Sequence, residues 1–75
     1  MESLDLHGVR HADAEEIIDD FIGRHFDKLP IEIITGNSIQ MQNFLKEIVN
    51  SYKLKMEPTS YVNLGSYVIS YGVNN

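Results

Sequence analysis

The sequence contains no cysteine, so it has neither a disulfide framework nor a thiolate metal site, and a reducing compartment is favoured. Long hydrophobic runs are missing as well. No apolar stretch approaches the about 20 residues that a membrane-spanning helix needs, and none resembles a signal peptide. We therefore expect a soluble, cytoplasmic protein with no membrane partner.

Positive charge is scarce: six Lys and Arg residues stand against 11 Asp and Glu residues, for a net charge of -5. Because counterion release by Lys and Arg drives binding to the phosphate backbone, this balance excludes a general nucleic-acid-binding protein, and any such site must be local. The acidic side chains cluster in one predicted helix, where they indicate a solvated face: Asp13, Glu15, Glu16, Asp19 and Asp20.

A chain of 75 residues is expected to form a single domain, residues 1–75, because it can bury only one core. Apolar residues at 43% and charged residues at 23% are ordinary values for a globular protein. The sequence has no internal repeat and no linker.

Hydrophobic periodicity predicts the elements of secondary structure. A period of two predicts strands, and apolar residues three and four apart predict amphipathic helices. Pro30 ends the first helix, and Asn37 or Ser38 caps the second, with Gln40 completing a capping box if Asn37 is the cap. The predicted order is strand 4–6, helix 11–27, strand 31–35, helix 38–51, strand 53–58 and strand 66–71.

The βαβαββ order predicts an α/β fold, a two-layer sandwich with a four-stranded mixed sheet and two helices on one face. Both strand–helix–strand units are expected to join parallel neighbours, the second strand to be buried on both faces, and Asn63 and Gly65 to take a positive φ in the last connection. The predicted core comprises Ala14, Ile17, Ile18, Phe21, Ile22, Phe26, Ile33, Ile34, Met41, Phe44, Leu45, Ile48, Val49, Tyr52, Leu54, Met56, Val68 and Ile69.

Two loops follow the first two strands, and loops at the carboxyl ends of parallel strands are where ligands bind in open α/β sheets. The first contains His7 and Gly8, and the second runs from Thr35 to Ser38. If the two strands are neighbours, the loops meet at one edge of the sheet.

Asp5 and His7 are two residues apart in a strand, so they share a face, and the carboxylate can hold the imidazole as a general base. Gly36 permits a close backbone approach, and the free N–H groups at the start of the second helix can bind a phosphate or an oxyanion. Together these features favour phosphodiester chemistry. The structural alternatives are a strand-end histidine, an aspartate that accepts backbone hydrogen bonds, and an ordinary turn with a helix cap.

The remaining histidines and tyrosines have weaker interpretations. His7 and His11 are four apart but lack a third ligand, which argues against zinc, and His25 is expected at the edge of the core. Three tyrosines near the last strand either complete the core, which we favour, or cover a dimer edge: Tyr61, Tyr67 and Tyr71.

The stretches "LDLHG", "VRHADA", "IEIITG" and "NLGSYVIS" together resemble the small MutS-related (Smr) domain family over residues 4–70. The resemblance implies an endonuclease that nicks DNA or cleaves RNA. The matched positions are Asp5, His7 and Gly8 of the first motif and Thr35 and Gly36 of the second. His7 would transfer protons and Asp5 would orient it.

The resemblance also implies a substrate-binding surface formed by Gly8, Arg10, Thr35, Gly36, Asn37 and Ser38. Gly36, Asn37 and Ser38 would hold phosphate, and Arg10 would contact the nucleic-acid backbone. Mg²⁺ is an optional cofactor. The sequence departs from the family where "TGNS" lacks the usual second glycine, and it is acidic. The alternative function is therefore a non-catalytic module of the same fold that binds nucleic acid or a protein partner.

Overall fold

The computed structural model describes residues 1–60, 62 and 65–72. The elements are β1 (Ser3–Asp5), α1 (His11–Arg24), β2 (Ile31–Ile34), α2 (Ile39–Ser51), β3 (Leu54–Pro58) and β4 (Ser66–Tyr71), with a short 3-10 helix at Phe26–Lys28. This confirms the predicted order and the two-layer α/β sandwich with a mixed four-stranded sheet.

The strand order in the sheet is β1-β2-β4-β3. β1 and β2 are parallel neighbours, with Leu4 opposite Ile33, whereas β4 is antiparallel to both β2 and β3. The prediction that the second strand–helix–strand unit joins neighbours is therefore wrong. β4 lies between β2 and β3 because its register pairs the buried Ile69 with Ile31 on one side and Met56 on the other.

One face of the sheet packs against both helices and forms the core. The buried side chains come from the residue after β1, the α1 stripe, the α2 stripe and alternate residues of β2 and β4: Leu6, Ala14, Ile18, Ile22, Ile31, Ile33, Met41, Leu45, Val49, Tyr67 and Ile69. Most other predicted core residues are partly buried against this cluster. The helices thus lie on one face, as predicted.

Three predicted core residues lie elsewhere. Ile34 and Val68 are half-buried on the opposite face, because β2 and β4 alternate and no helix covers that side within the described residues. The prediction that β2 is buried on both faces is wrong for the same reason. Phe26 is 40% exposed, since α1 ends at Arg24 and the helical stripe ends with it.

The tyrosines divide between core and surface. Tyr67 is buried at 9% exposure, which confirms its core position, whereas Tyr71 is 53% exposed and donates its hydroxyl hydrogen bond to the Phe26 carbonyl at 2.7 Å. Tyr61 lies outside the described residues. Within the described part of the chain, neither helix has the length and hydropathy required to cross a bilayer.

Candidate functional site

The parallel pairing of β1 and β2 brings the two predicted loops together. The pairing ends at Asp5 opposite Ile34, and the Leu6 N–H donates to the Ile34 carbonyl at 2.8 Å, so both chains leave the sheet at the same edge. The loops enclose a cavity of about 240 Å³, lined by Leu6, His7, Gly8, Val9, His11, Thr35, Gly36, Asn37, Ser38 and Met41. The convergence predicted from the sequence is therefore present.

Asp5 and His7 form a hydrogen-bonded pair beside this cavity. Oδ1 of Asp5 lies 2.7 Å from Nδ1 of His7 and also accepts the His7 backbone N–H at 2.9 Å. Because an ionised carboxylate only accepts hydrogen bonds, the imidazole proton is on Nδ1. In the neutral ring, Nε2 of His7 then carries the lone pair that a general base requires.

The turn after β1 sets the direction of the His7 side chain. The Val9 N–H donates to the Leu6 carbonyl at 3.1 Å, and Gly8 takes φ +81°, a left-handed conformation that favours glycine. The turn is tight enough to leave the His7 imidazole 67% exposed at the mouth of the cavity. The sequence "HG" thus positions the base without burying it.

The Asp5 carboxyl is held in its ionised form. The backbone N–H of His7 has the largest effect and keeps the pKa of Asp5 below its ordinary value of 3.8, and the His7 imidazole lowers it further by hydrogen bonding and charge. Desolvation, the second-largest effect, raises the pKa and opposes part of this shift. The carboxylate is therefore charged at every pH at which a histidine exchanges protons.

Asp5→Asn changes the acid stability of the protein in a defined direction. Since the folded pKa of Asp5 is lowered, its charge stabilises the fold above the ordinary value of 3.8, and this contribution is lost as the pH falls through the lowered value. We expect the wild type to have a higher Tm than Asp5→Asn at neutral pH, and the difference to shrink below pH 3.8. Thermal melts across this range measure it, and a difference independent of pH would contradict the assignment.

The second loop lies directly against the histidine. Gly36 takes φ +66°, and a Cβ at this position would be 3.0 Å from Nε2 of His7. Glycine is required here for two reasons, the left-handed backbone and the close approach of the imidazole. The "TG" of the second motif therefore provides space for the base.

Gly65 holds the second loop in place through backbone hydrogen bonds, a role that was not predicted from the sequence. Its carbonyl accepts the N–H groups of Thr35 at 2.8 Å and Gly36 at 3.0 Å, and a Cβ on Gly65 would be 3.0 Å from the Gly36 carbonyl carbon. The prediction that Asn63 and Gly65 can take a positive φ depends on residues 63 and 64, which lie outside the described residues. The available signal for the role of Gly65 was its place in "NLGSYVIS", just before β4.

These contacts change the predicted roles of two residues. The Gly36 N–H is already donated to Gly65, so it is not free to bind phosphate as predicted. Thr35 is buried, and its hydroxyl donates to the Gly36 carbonyl at 2.9 Å. Both residues therefore shape the loop, and the backbone of Asn37 and Ser38 is what remains for an anion.

The start of α2 faces the same cavity. Ser38 is the cap, and its Oγ accepts the Met41 N–H at 3.1 Å. Asn37 is thus not the cap, and the conditional capping box with Gln40 does not form. Since the first N–H groups of a helix have no intrahelical acceptor, the end of α2 offers positive electrostatic potential to the cavity.

The sequence assigned a binding role to Arg10 and none to His11, but in the structure it is His11 that lines the cavity. Arg10 caps α1 with its guanidinium in an exposed pair with Asp13, Nε to Oδ2 at 3.3 Å, and it is not among the described residues that line the cavity. His11 does line it, with Nε2 at 3.4 Å from Ser38 Oγ. No group of described His, Cys, Asp and Glu side chains could hold a metal, so His7 and His11 do not form part of a described zinc site.

His25 is remote from this chemistry. Its Nδ1 bonds the Phe21 carbonyl at 2.8 Å, and its ring lies 4.3 Å from the Phe21 ring, centroid to centroid. The half-buried ring confirms the expected position at the edge of the core.

A larger cavity of about 390 Å³ lies on the other side of α2. Its described lining is amide, lysine and apolar, without histidine or carboxylate: Gln42, Asn43, Lys46, Val49, Asn50, Leu54, Met56 and Tyr67. Groups able to transfer protons at neutral pH therefore concentrate in the smaller cavity. Comparison of the chain with family models, curated proteins and solved structures finds no match.

Proposed function

We propose that this protein is a cytoplasmic, Smr-like endonuclease that cleaves RNA, or nicks structured DNA, in the cavity formed by the "LDLHG" and "TGNS" loops. The observation that carries the proposal is the Asp5–His7 pair, with Nε2 of His7 lying against Gly36. The pair provides an oriented base. In the loop beside it, the left-handed backbone of Gly36 leaves room for the imidazole, which a Cβ at this position would crowd. The motif resemblance supports the proposal, and the contact between Gly65 and Gly36 brings together two of the stretches on which the resemblance rests.

RNA is the favoured substrate because its nucleophile is already attached. The 2′-hydroxyl sits next to the phosphorus, and such intramolecular attack gains an effective concentration of about 10⁵–10⁸ M in well-oriented cases. His7 needs only to remove the hydroxyl proton. Cleavage of DNA requires an activated water instead, for which Mg²⁺ is the optional cofactor.

Phosphate would bind where the cavity meets α2. The N–H groups of Asn37, Ser38 and the first residues of α2 before Met41 are the candidate donors, and Asn37 and Ser38 line the same cavity as His7. Negative charge that develops on the phosphorane would be stabilised there. The acidic side chains of α1 are exposed and line no part of this cavity among the described residues.

The direct test is incubation of purified protein with end-labelled structured RNA and with supercoiled plasmid, each with Mg²⁺ and with a chelator. Cleavage of RNA by the wild type in both conditions supports a histidine mechanism. Nicking of the plasmid with Mg²⁺ alone would assign DNA as the substrate. No cleavage product in any of the four incubations, from protein shown to be folded, would contradict the nuclease proposal.

Arg10→Ala should weaken nucleic-acid binding through the loss of one local phosphate contact. Arg24→Ala is the matched control, since Arg24 forms a similarly exposed ion pair with Asp20 at the far end of α1. Each exposed pair contributes about 0–1 kcal/mol, so both variants stay folded. We expect Arg10→Ala alone to reduce the slope of log K against log salt by about one unit. Equal slopes for both variants would remove Arg10 from the interface.

The second candidate is a module of the same fold that binds nucleic acid or a protein partner without cleaving it. Two observations favour it: Asn37 stands where the family has a second glycine, and the Gly36 N–H is already donated to Gly65. Salt-dependent binding that Arg10→Ala weakens, together with no product under any condition, would establish this function.

A further inference from the structure

We propose that His11 is a second catalytic histidine, the general acid that protonates the leaving 5′-oxygen when RNA is cut. This inference rests on the proposed nuclease function and specifies its substrate as a nucleic acid with a 2′-hydroxyl. Sequence spacing gave His11 only a rejected role in zinc binding. The structure places it in the cavity that also contains His7, at the first residue of α1.

The surroundings of the two imidazoles differ in the way that an acid and a base require. His7 is held by the Asp5 carboxylate, which leaves Nε2 as a proton acceptor. His11 has no carboxylate beside its ring among the described lining residues, and its Nε2 lies 3.4 Å from Ser38 Oγ. Since Ser38 Oγ already accepts the Met41 N–H, its remaining lone pair can accept a proton-bearing Nε2 as well.

The position of His11 is suited to the leaving group. Its ring stands edge-on to Phe44 of α2, with centroids 6.2 Å apart, and this contact limits its rotation. The hydrogen bond between His11 Nε2 and Ser38 Oγ is long at 3.4 Å and therefore weak, so a substrate oxygen can replace Ser38 as its partner. His7 lies against Gly36 and His11 lies beside Ser38, so a phosphate bound to the backbone between Gly36 and Ser38 would be near both imidazoles.

The charged groups around His11 are few. The β1 loop carries His7, which is paired with Asp5, and α1 itself carries Arg10 and Asp13, which pair with each other at 3.3 Å, and Glu15, one turn after His11. The part of α2 that lines the cavity presents only the uncharged Ser38 and Met41 side chains. The pH dependence of cleavage should thus arise from the two histidines.

The proposed cleavage of RNA requires no reactant other than the RNA and the two histidines. Nε2 of His7 takes the proton of the 2′-hydroxyl, and the 2′-oxygen forms a bond to phosphorus. The bond from phosphorus to the 5′-oxygen breaks, its electron pair moves to that oxygen, and His11 donates the Nε2 proton to it. The products are a 2′,3′-cyclic phosphate and a 5′-hydroxyl, and proton exchange with water restores both imidazoles.

The test uses an RNA with one cleavable bond and the same RNA with sulfur in place of the 5′-oxygen. A thiolate leaves without a proton, so the sulfur substrate needs no general acid. We expect His11→Ala to be about 10²–10⁴-fold slower than the wild type on the oxygen substrate and within several-fold of it on the sulfur substrate. His7→Ala should be slow on both, and the alkaline limb of the pH–rate profile should disappear in His11→Ala.

His11→Asn separates acid catalysis from positioning. An asparagine amide can still donate to Ser38 but supplies no proton to a leaving group, so this variant should also be slow on oxygen and restored on sulfur. Full activity of either His11 variant on the oxygen substrate, or failure of sulfur to restore it, would overturn the assignment while leaving the nuclease intact. A wild type that cuts neither substrate would overturn the nuclease proposal itself.

Discussion

For the proposed nuclease, we expect His7→Ala to lower the rate of RNA cleavage by about 10²–10⁴-fold, the contribution of a positioned general base. Its fold should persist, because the side chain is 67% exposed and the backbone N–H that bonds Asp5 remains. The measurement is a single-turnover rate with end-labelled RNA, accompanied by a thermal melt. Cleavage at the wild-type rate by clean, folded His7→Ala would remove His7 from the chemistry.

Asp5→Asn should have a smaller effect in the same assay. The amide oxygen can still accept the Nδ1–H of His7, so the imidazole keeps its direction, but it loses the charge that stabilises an imidazolium. We expect its rate to fall between those of the wild type and His7→Ala. A loss as large as that of His7→Ala would contradict this division of roles between the two residues.

Gly65→Ala should lower both stability and cleavage. The added methyl would lie 3.0–3.1 Å from three backbone atoms of Gly36, and backbone cannot move aside as a flexible side chain can. We expect a cost of about 1–3 kcal/mol, as for other overpacked sites. For a domain of this size that lowers the Tm by about 4–8 °C for each kcal/mol.

We expect Gly65→Ala to slow cleavage as well as to lower stability. The added methyl would displace the backbone of Gly36, and Nε2 of His7 lies against that backbone. Gly23→Ala is the matched control. Its added methyl would meet only the Tyr52 hydroxyl oxygen, at 3.3 Å, and alanine favours a helix over glycine by about 1 kcal/mol. Its Tm should be unchanged or raised. A neutral Gly65→Ala with full activity would contradict the support that Gly65 gives to the second loop.

Local sequence signals predict the elements and the two loops. The period of α1 and the β-branched run of β2 depend on neighbouring residues only, and β1 and β2 pair in parallel as such a unit requires. The loops at "HG" and "TGNS" then meet by geometry. This is why the Asp5–His7 pair and the cavity were predictable from a single chain.

Long-range contacts account for the errors. No local pattern near β4 predicts that this strand pairs with both β2 and β3. Its position between them brings Gly65 into contact with Gly36. The same contact uses the Gly36 N–H, which sequence reasoning had reserved for phosphate. His11 was undervalued because its partner, Ser38, is 27 residues away along the chain.

The central claim is that the cavity between the two loops cuts RNA through its 2′-hydroxyl. One measurement tests it most directly: wild-type protein, in chelator, is incubated with an RNA and with the same RNA carrying a single 2′-deoxynucleotide on the 5′ side of the cut. The account predicts that only the RNA is cut, giving a 2′,3′-cyclic phosphate and a 5′-hydroxyl by mass spectrometry. Equal cutting of both substrates, or products with a 5′-phosphate, would contradict it.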